Sequence, residues 1–134
     1  MSAIEIATWP CPAPLSMPEP RPPQTRPSAR STDPSKANRL TLSTTGDEVT
    51  LRLGDRGLVW DMQPDHSVRV AVYLPAKGSG FCELVVWAPS TRTGALLLTS
   101  GPYSAEMADW FTQAGRRIAQ LLGLRFESIG CADA

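Results

Sequence analysis

The sequence has little of what the common catalytic and metal sites require. Its 134 residues contain one histidine, His66, and three scattered cysteines, Cys11, Cys82 and Cys131. Three cysteines at this spacing are too few for a disulfide framework or a tetrahedral zinc site, and a single histidine leaves little scope for a catalytic triad. We therefore predict no catalytic, metal-binding or cofactor-binding residues, and a non-enzymatic protein in a reducing cytoplasm.

Long apolar runs and an excess of positive charge are also missing. No window approaches the roughly 18 apolar residues of a membrane-spanning helix, and Glu5 stands where a signal peptide would carry positive charge. The net charge of zero divides into +1 for residues 1–38 and −1 for the remainder, so neither part favours binding to phosphates. We expect a soluble protein with no integral membrane segment and no nucleic-acid partner.

Proline is abundant but unevenly placed, since nine of the 13 prolines lie in residues 1–34. Proline removes an amide donor and disfavours helix in the preceding residue, so we predict a disordered arm over residues 1–38 and a β-rich domain over residues 39–134. The P-x-x-P motif at residues 20–23 fits either a linker or a docking peptide. Ahead of it, Ile4, Ile6 and Trp9 form a short apolar segment that could join a sheet edge or insert into a groove.

The clearest periodic pattern predicts one amphipathic helix within residues 101–123, which we expect to lie across the sheet. Ser100 or Ser104 could cap its start, Gly123 suits its end, and Gly115 would allow a close approach to a strand. The apolar side chains recur at three- and four-residue spacing: Met107, Trp110, Phe111, Ala114, Ile118, Leu121 and Leu122. The opposite side is polar, which is the pattern of a helix covering a core.

Between residues 40 and 99 the period changes to two, which predicts short strands joined by turns. Six strands are expected. One lies on each side of a turn at residues 45–47, and the other four cover residues 58–62, 67–75, 81–89 and 94–99. The resulting fold class is α+β, an antiparallel β-meander curled into a small sandwich or partly open barrel. One C-terminal α-helix packs this meander.

The pairing register of two of these strands predicts a second face on this sheet. If Tyr73 pairs with Phe81, valines, Leu84 and Cys82 share the core side, whereas a slip by one residue would bury Glu83 among them without compensation. The opposite side then carries aromatic and charged side chains: Arg69, Tyr73, Phe81, Glu83, Val85 and Trp87. Such a face is covered by the curl of the sheet, by a partner or second copy, or by a small molecule.

The strand meander, the hydrophobic strand GALLLTS and the helix SAEMADWFTQAGRRIAQLLG resemble the bacterial pleckstrin-homology-like domains. The resemblance covers about residues 39–123 and rests on element order, with Trp110 where such helices often carry an aromatic residue. It implies two near-orthogonal sheets plugged by the helix and a scaffold for protein or peptide contacts. Six predicted strands instead of seven, and an acidic loop at residues 45–48, depart from the family and argue against phosphoinositide binding.

The leading functional hypothesis is a protein-interaction or adaptor module that binds a protein partner or forms a homodimer. The predicted binding residues are Tyr73, Phe81, Trp87 and Arg69 on the sheet face, together with Trp9 if the arm docks. A small secretion-type chaperone or accessory protein is one alternative. Another is a small ligand-binding domain or enzyme with a pocket between helix and sheet, although a small-molecule ligand is not the expectation.

Overall fold

A computed structural model describes residues 4–12, 15–29, 37–74 and 80–133. The chain divides into two compact units, the first formed by residues 1–11 and 19–63 and the second by residues 12–18 and 64–134. Each unit contains one five-stranded sheet. The described part of the chain also contains one α-helix, near the C-terminus. The predicted α+β class with predominantly antiparallel strands is confirmed.

The first unit contains the strands β1 (Ile4–Pro10), β3 (Arg26–Pro27), β4 (Arg39–Thr45), β5 (Glu48–Leu53) and β6 (Arg56–Asp61). They form one antiparallel sheet with the strand order β1-β4-β5-β6-β3. Gly46 has φ 61° in the turn between β4 and β5, a conformation that glycine adopts readily. The buried side chains of this sheet include Leu40, Leu42, Val49, Leu51, Leu58 and Trp60.

The predicted disordered arm over residues 1–38 falls partly outside the described residues, which omit 1–3, 13–14 and 30–36. Within the described residues, β1 pairs with β4 along the sheet edge, β3 pairs with β6, and Leu15–Ser16 forms β2 in the second unit. Edge strands tolerate proline because one side of the strand needs no amide donors for the ladder. The alternative expectation, in which the segment around Ile6 joins a sheet edge, is therefore the correct one for β1.

Arg26 on β3 forms ion pairs with two carboxylates of the first sheet at the protein surface. Its guanidinium donates to both carboxylate oxygens of Asp61 at 3.2 Å and to Glu48 at 3.0 Å. These hydrogen bonds raise the pKa of Arg26, with Asp61 as the largest contributor. A two-residue strand is thus held by side-chain bonds as well as by its pairing.

Removing residues 1–10 should destabilise the first unit, because the outer edge of β4 would lose its strand partner. Each lost ladder hydrogen bond removes roughly 0.5–1.5 kcal/mol, offset in part by the regained chain entropy. Hydrogen exchange measured by mass spectrometry should be faster in β4 than in the intact chain. The substitution Ile4→Ser is the matched control, because the Ile4 side chain is 67% exposed and its loss leaves the backbone pairing in place. Hydrogen exchange in β4 that is unchanged by the truncation would contradict the pairing of β1 with β4.

Besides β2, the second unit contains the strands β7 (Ser67–Leu74), β8 (Phe81–Ala88), β9 (Thr93–Ser100) and β10 (Arg125–Asp133). They form one sheet with the strand order β10-β7-β8-β9-β2. Strands β7, β8 and β9 form an antiparallel meander, and β10, which follows the helix in the chain, lies parallel to β7. All six strands expected from the sequence are present, and β1, β2, β3 and β10 are additional.

The helix α1 (Ala105–Leu122) begins and ends at residues suited to its caps. The Ser104 hydroxyl accepts a hydrogen bond from the Met107 amide at 3.0 Å, which satisfies one free donor of the first turn. Gly123 adopts the left-handed conformation, and the Leu124 amide donates to the Ala119 carbonyl at 2.9 Å. The predicted helix is confirmed, with Ser104 rather than Ser100 as its cap.

One side of α1 packs on the sheet of the second unit against β7, β8 and β10. Phe111 and Ile118 are fully buried, whereas Trp110 and Leu121 are only partly buried. At Gly115 the approach is closest, because an added Cβ would lie 2.6 Å from Val70 Cγ2 and 2.9 Å from Phe126 Cε1. Glycine at this position is therefore required by the close contact between helix and sheet.

Across the part of the chain that the structure describes, no helix combines the length and apolar character needed to cross a membrane.

Candidate functional site

The pairing of β7 with β8 sorts their side chains onto two chemically different faces. Tyr73 pairs with Phe81, as predicted, and the same register pairs Val70 with Leu84. Side chains alternate across a sheet, so the helix covers the side that carries Val70 and Leu84. The other side, which we call the aromatic face, is defined by Arg69, Tyr73, Phe81, Glu83, Val85 and Trp87.

Two stacked rings form one end of the aromatic face. The Tyr73 and Phe81 ring centroids lie 4.3 Å apart with an interplanar angle of 24°. Burial, followed by the negative charge of the nearby Glu83 carboxylate, raises the pKa of Tyr73. Stacking on Phe81 orients the tyrosine ring, and both rings remain partly exposed.

An arginine lying on a tryptophan forms the other end. The Arg69 Cζ atom is 4.4 Å from the centroid of the Trp87 ring, within the range of a cation–π interaction. The Trp87 ring also lies close to Gly94 on the neighbouring strand. A Cβ atom added at Gly94 would lie 3.6 Å from Trp87 and 3.0 Å from Val85. Among the described residues, Nε of Arg69 has no hydrogen-bond partner although it is buried.

Strand β10 extends the aromatic face with two residues that the sequence did not reveal. Glu127 pairs in register with Arg69 and forms an ion pair with it at 3.4 Å. The nearby Ser67 hydroxyl, together with the charges of Arg69 and Arg125, lowers the pKa of Glu127. Ile129 lies two residues further along the same side of the strand, and its side chain is 43% exposed.

The sequence contained only a weak signal for Glu127 and Ile129. The segment RFESIGCAD lacks the strict alternation of apolar and polar residues that marks a half-buried strand. Its pairing with β7 is parallel and becomes irregular after Ile129, and a parallel partner beyond a helix leaves no turn motif to recognise. The strand was therefore missed.

Replacing Glu127 with glutamine should remove a specific part of the acid dependence of stability. Because the folded pKa of Glu127 lies below its ordinary value of about 4.3, its stabilising effect is fully present above that value and is lost as the pH falls through the folded pKa. The wild-type chain should therefore have the higher urea midpoint near neutral pH, and the difference should vanish in strong acid. Urea unfolding measured across this range tests the prediction.

The matched control for Glu127→Gln is Asp109→Asn, which removes an exposed carboxylate from α1 without touching Arg69. A difference between wild type and Glu127→Gln that stayed constant from neutral pH into acid would contradict the assignment.

The predicted binding residues divide between the two units. Arg69, Tyr73, Phe81 and Trp87 lie together on the aromatic face of the second unit. Trp9 belongs to β1 of the first unit, where it pairs in register with Leu40 and is partly buried. Trp9 is thus an element of the first sheet rather than part of a flexible docking arm.

The remaining candidate groups for chemistry lie outside the aromatic face. Burial raises the pKa of the Cys11 thiol to about 11, against the opposing charge of Arg39, so it stays protonated at neutral pH and is a poor nucleophile. Cys82 is fully buried. Within the described ranges, no three histidine, cysteine, aspartate or glutamate side chains are grouped so that they could hold a metal ion.

The chain was compared with protein-family models, curated proteins and solved structures, and none of the three comparisons gave a match.

Proposed function

We propose that this protein is a non-enzymatic interaction module that binds a protein partner through the aromatic face of its second unit. The observation that carries the proposal is the gathering of Tyr73, Phe81, Trp87 and Arg69 on the side of the sheet opposite α1. Tyrosine, tryptophan, phenylalanine and arginine are the residues enriched in protein interfaces. Tyrosine, tryptophan and arginine also dominate the residues that contribute most to binding.

The geometry of the aromatic face favours binding because its side chains are already held in place. Tyr73 stacks on Phe81 and lies near Glu83. Trp87 contacts the Arg69 guanidinium and lies close to Gly94, where the absence of a side chain makes room for its ring. Ordering a side chain on binding costs roughly 0.5–1.5 kcal/mol. A face whose large side chains are ordered before the encounter avoids much of this cost.

The neighbouring sheet edge offers a second means of contact. Strand β10 is the outermost strand beside β7, and an edge strand presents backbone donors and acceptors for a further strand. Ile129 is exposed on the aromatic side of this edge. An extended segment of the partner can pair with β10 while its side chains contact Ile129 and the aromatic face.

The sequence supports the same type of function. The resemblance to bacterial pleckstrin-homology-like domains implies a scaffold for protein or peptide contacts, and the balanced charge of the chain gives no advantage for phosphate binding. Cys11 and Cys82 are free thiols, which suits a reducing cytoplasm. A second copy of the chain would be one form of the protein partner.

The double substitution Tyr73→Ser with Trp87→Ser tests the proposal. It should abolish capture of the partner from the native host, or self-association measured by sedimentation velocity, because it removes both ordered ring systems. Circular dichroism should show that the helix and strands remain, since neither ring lies on the helix-covered side.

The matched control replaces Gln113 and Gln120 with serine on the exposed side of α1, and this variant should bind as the wild type does. Binding by the double variant at wild-type strength would overturn the proposal. Loss of its folded structure would also overturn it, because the rings would then belong to the core of the unit.

A further inference from the structure

Glu83 stands out among the charged groups of the aromatic face. Its neighbours in the sheet, Ala71 on β7 and Thr99 on β9, carry no charge. The Tyr73 hydroxyl lies within reach of its charge, since Glu83 is the next cause, after burial, of the raised pKa of Tyr73. Neither neighbouring strand therefore places a cation directly opposite the Glu83 carboxylate.

The other carboxylate of the face is in a different situation. Glu127 is paired with Arg69 at 3.4 Å, and Arg69 is in turn engaged with the Trp87 ring. The positive charge of Arg69 is therefore already paired with a carboxylate within the protein. Among the described residues of the aromatic face, the charge without an ion-pair partner is the negative charge of Glu83.

The surroundings of Glu83 are those of a cation-binding site. The Tyr73–Phe81 stack lies directly beside it on the same side of the sheet. Aromatic rings attract cations through the negative potential of their faces, and a carboxylate forms strong charge-assisted hydrogen bonds with them. Both interactions gain strength in a partly buried setting, where water competes less.

We infer that the partner presents an arginine side chain, whose guanidinium pairs with Glu83 and lies against the Tyr73–Phe81 stack. This inference rests on the proposed function and specifies the chemistry of the partner. A guanidinium fits better than a lysine ammonium because it is planar, stacks on aromatic rings and can donate two parallel hydrogen bonds to one carboxylate. An acidic partner residue would instead have to compete with Glu127 for Arg69.

The experiment titrates the full chain, labelled with nitrogen-15, with N-acetyl-arginine amide and separately with N-acetyl-citrulline amide. Citrulline has nearly the same shape as arginine but no charge. Arginine amide should shift the amide signals of β7 and β8 around Tyr73, Phe81 and Glu83, with a dissociation constant in the millimolar range. Citrulline amide should bind at least about tenfold more weakly, since the hydrogen bonds to Glu83 lose their charge assistance.

The substitution Glu83→Gln should abolish the preference for arginine over citrulline, because glutamine keeps the size and an acceptor for Tyr73 but removes the charge. The matched control is Glu106→Gln in the exposed first turn of α1, which should leave the preference unchanged. Equal binding of the two amides by the wild-type chain would overturn the inference, and this comparison does not depend on any variant folding correctly. Signal shifts confined to α1 would overturn it as well.

The two proposals fail in distinguishable ways. If Tyr73→Ser with Trp87→Ser loses the partner while Glu83→Gln retains it at full strength, the aromatic face binds a partner but not through an arginine. If the double variant also retains the partner, the proposed function itself is wrong.

Discussion

Replacing Phe111 with alanine should lower the free energy of unfolding of the second unit by about 3–5 kcal/mol. Phe111 is fully buried at the centre of the helix side that faces the sheet. Its truncation removes apolar surface from the core and leaves a cavity that the surrounding strands can only partly fill. Urea unfolding followed by far-ultraviolet circular dichroism measures this loss, since α1 contributes strongly to that signal.

Two further substitutions calibrate the result for Phe111. Leu121→Ala should cost less, because Leu121 is only partly buried, and Gln113→Ala should cost almost nothing, because Gln113 points to solvent. Equal losses for Phe111→Ala and Gln113→Ala would contradict the packing of α1 on the sheet.

Replacing Gly115 with valine should also destabilise the second unit, even though valine is the better helix former. The first added atom would lie 2.6 Å from Val70 Cγ2 and 2.9 Å from Phe126 Cε1, well inside normal contact distance. Val70 is fully buried and β-branched, so it has little freedom to move aside. We expect a loss of at least about 1–3 kcal/mol from overpacking, measured by the same urea unfolding.

A double-mutant cycle gives this prediction its control. Val70→Ala removes the methyl groups nearest to Gly115, so Gly115→Val should cost less in that background than in the wild type. Strict additivity of the two substitutions would show that helix and sheet do not meet at this point.

The parts of the fold that the sequence predicted are those with a strong periodic pattern and a defined end. In α1 the apolar spacing, Ser104 and Gly123 agree with one another, and the structure follows them. The register of β7 with β8 could be derived because a slip by one residue would have buried Glu83 among valines, a large energetic difference between two simple alternatives.

The strands that sequence reasoning missed lie at or near the sheet edges. The short strands β2 and β3 contain two residues each, and β1 ends at Pro10. Proline-rich composition predicts disorder because it describes average behaviour, whereas pairing with β4, β6 or β9 depends on tertiary contacts that composition does not contain. The partner of β10 is distant in sequence and parallel, so no local turn indicated it.

The sequence predicted the residues of the candidate site only where it also predicted the strands that carry them. Arg69, Tyr73, Phe81 and Trp87 were placed together because they alternate along two strands whose register was known. Glu127 and Ile129 were missed because β10 was missed. Trp9 was given two alternatives, a flexible docking arm or a segment joining a sheet edge, and the structure places it in β1 at the edge of the first sheet.

The two faces of the second sheet therefore have different roles in this account. The face under α1 is covered by the helix, which approaches Val70 closely at Gly115, and its buried side chains stabilise the second unit. The aromatic face opposite it carries the stacked rings, Glu83 and the exposed edge at Ile129, and we propose that a partner binds there.

Photocrosslinking from Ile129 tests this division most directly. A benzoylphenylalanine residue is placed at Ile129 in one full-length variant and at Gln113, on the exposed side of α1, in another, and both are irradiated in cells of the native host. The account predicts one defined protein adduct from position 129 and none from position 113. A defined adduct from position 113 with none from position 129 would contradict it.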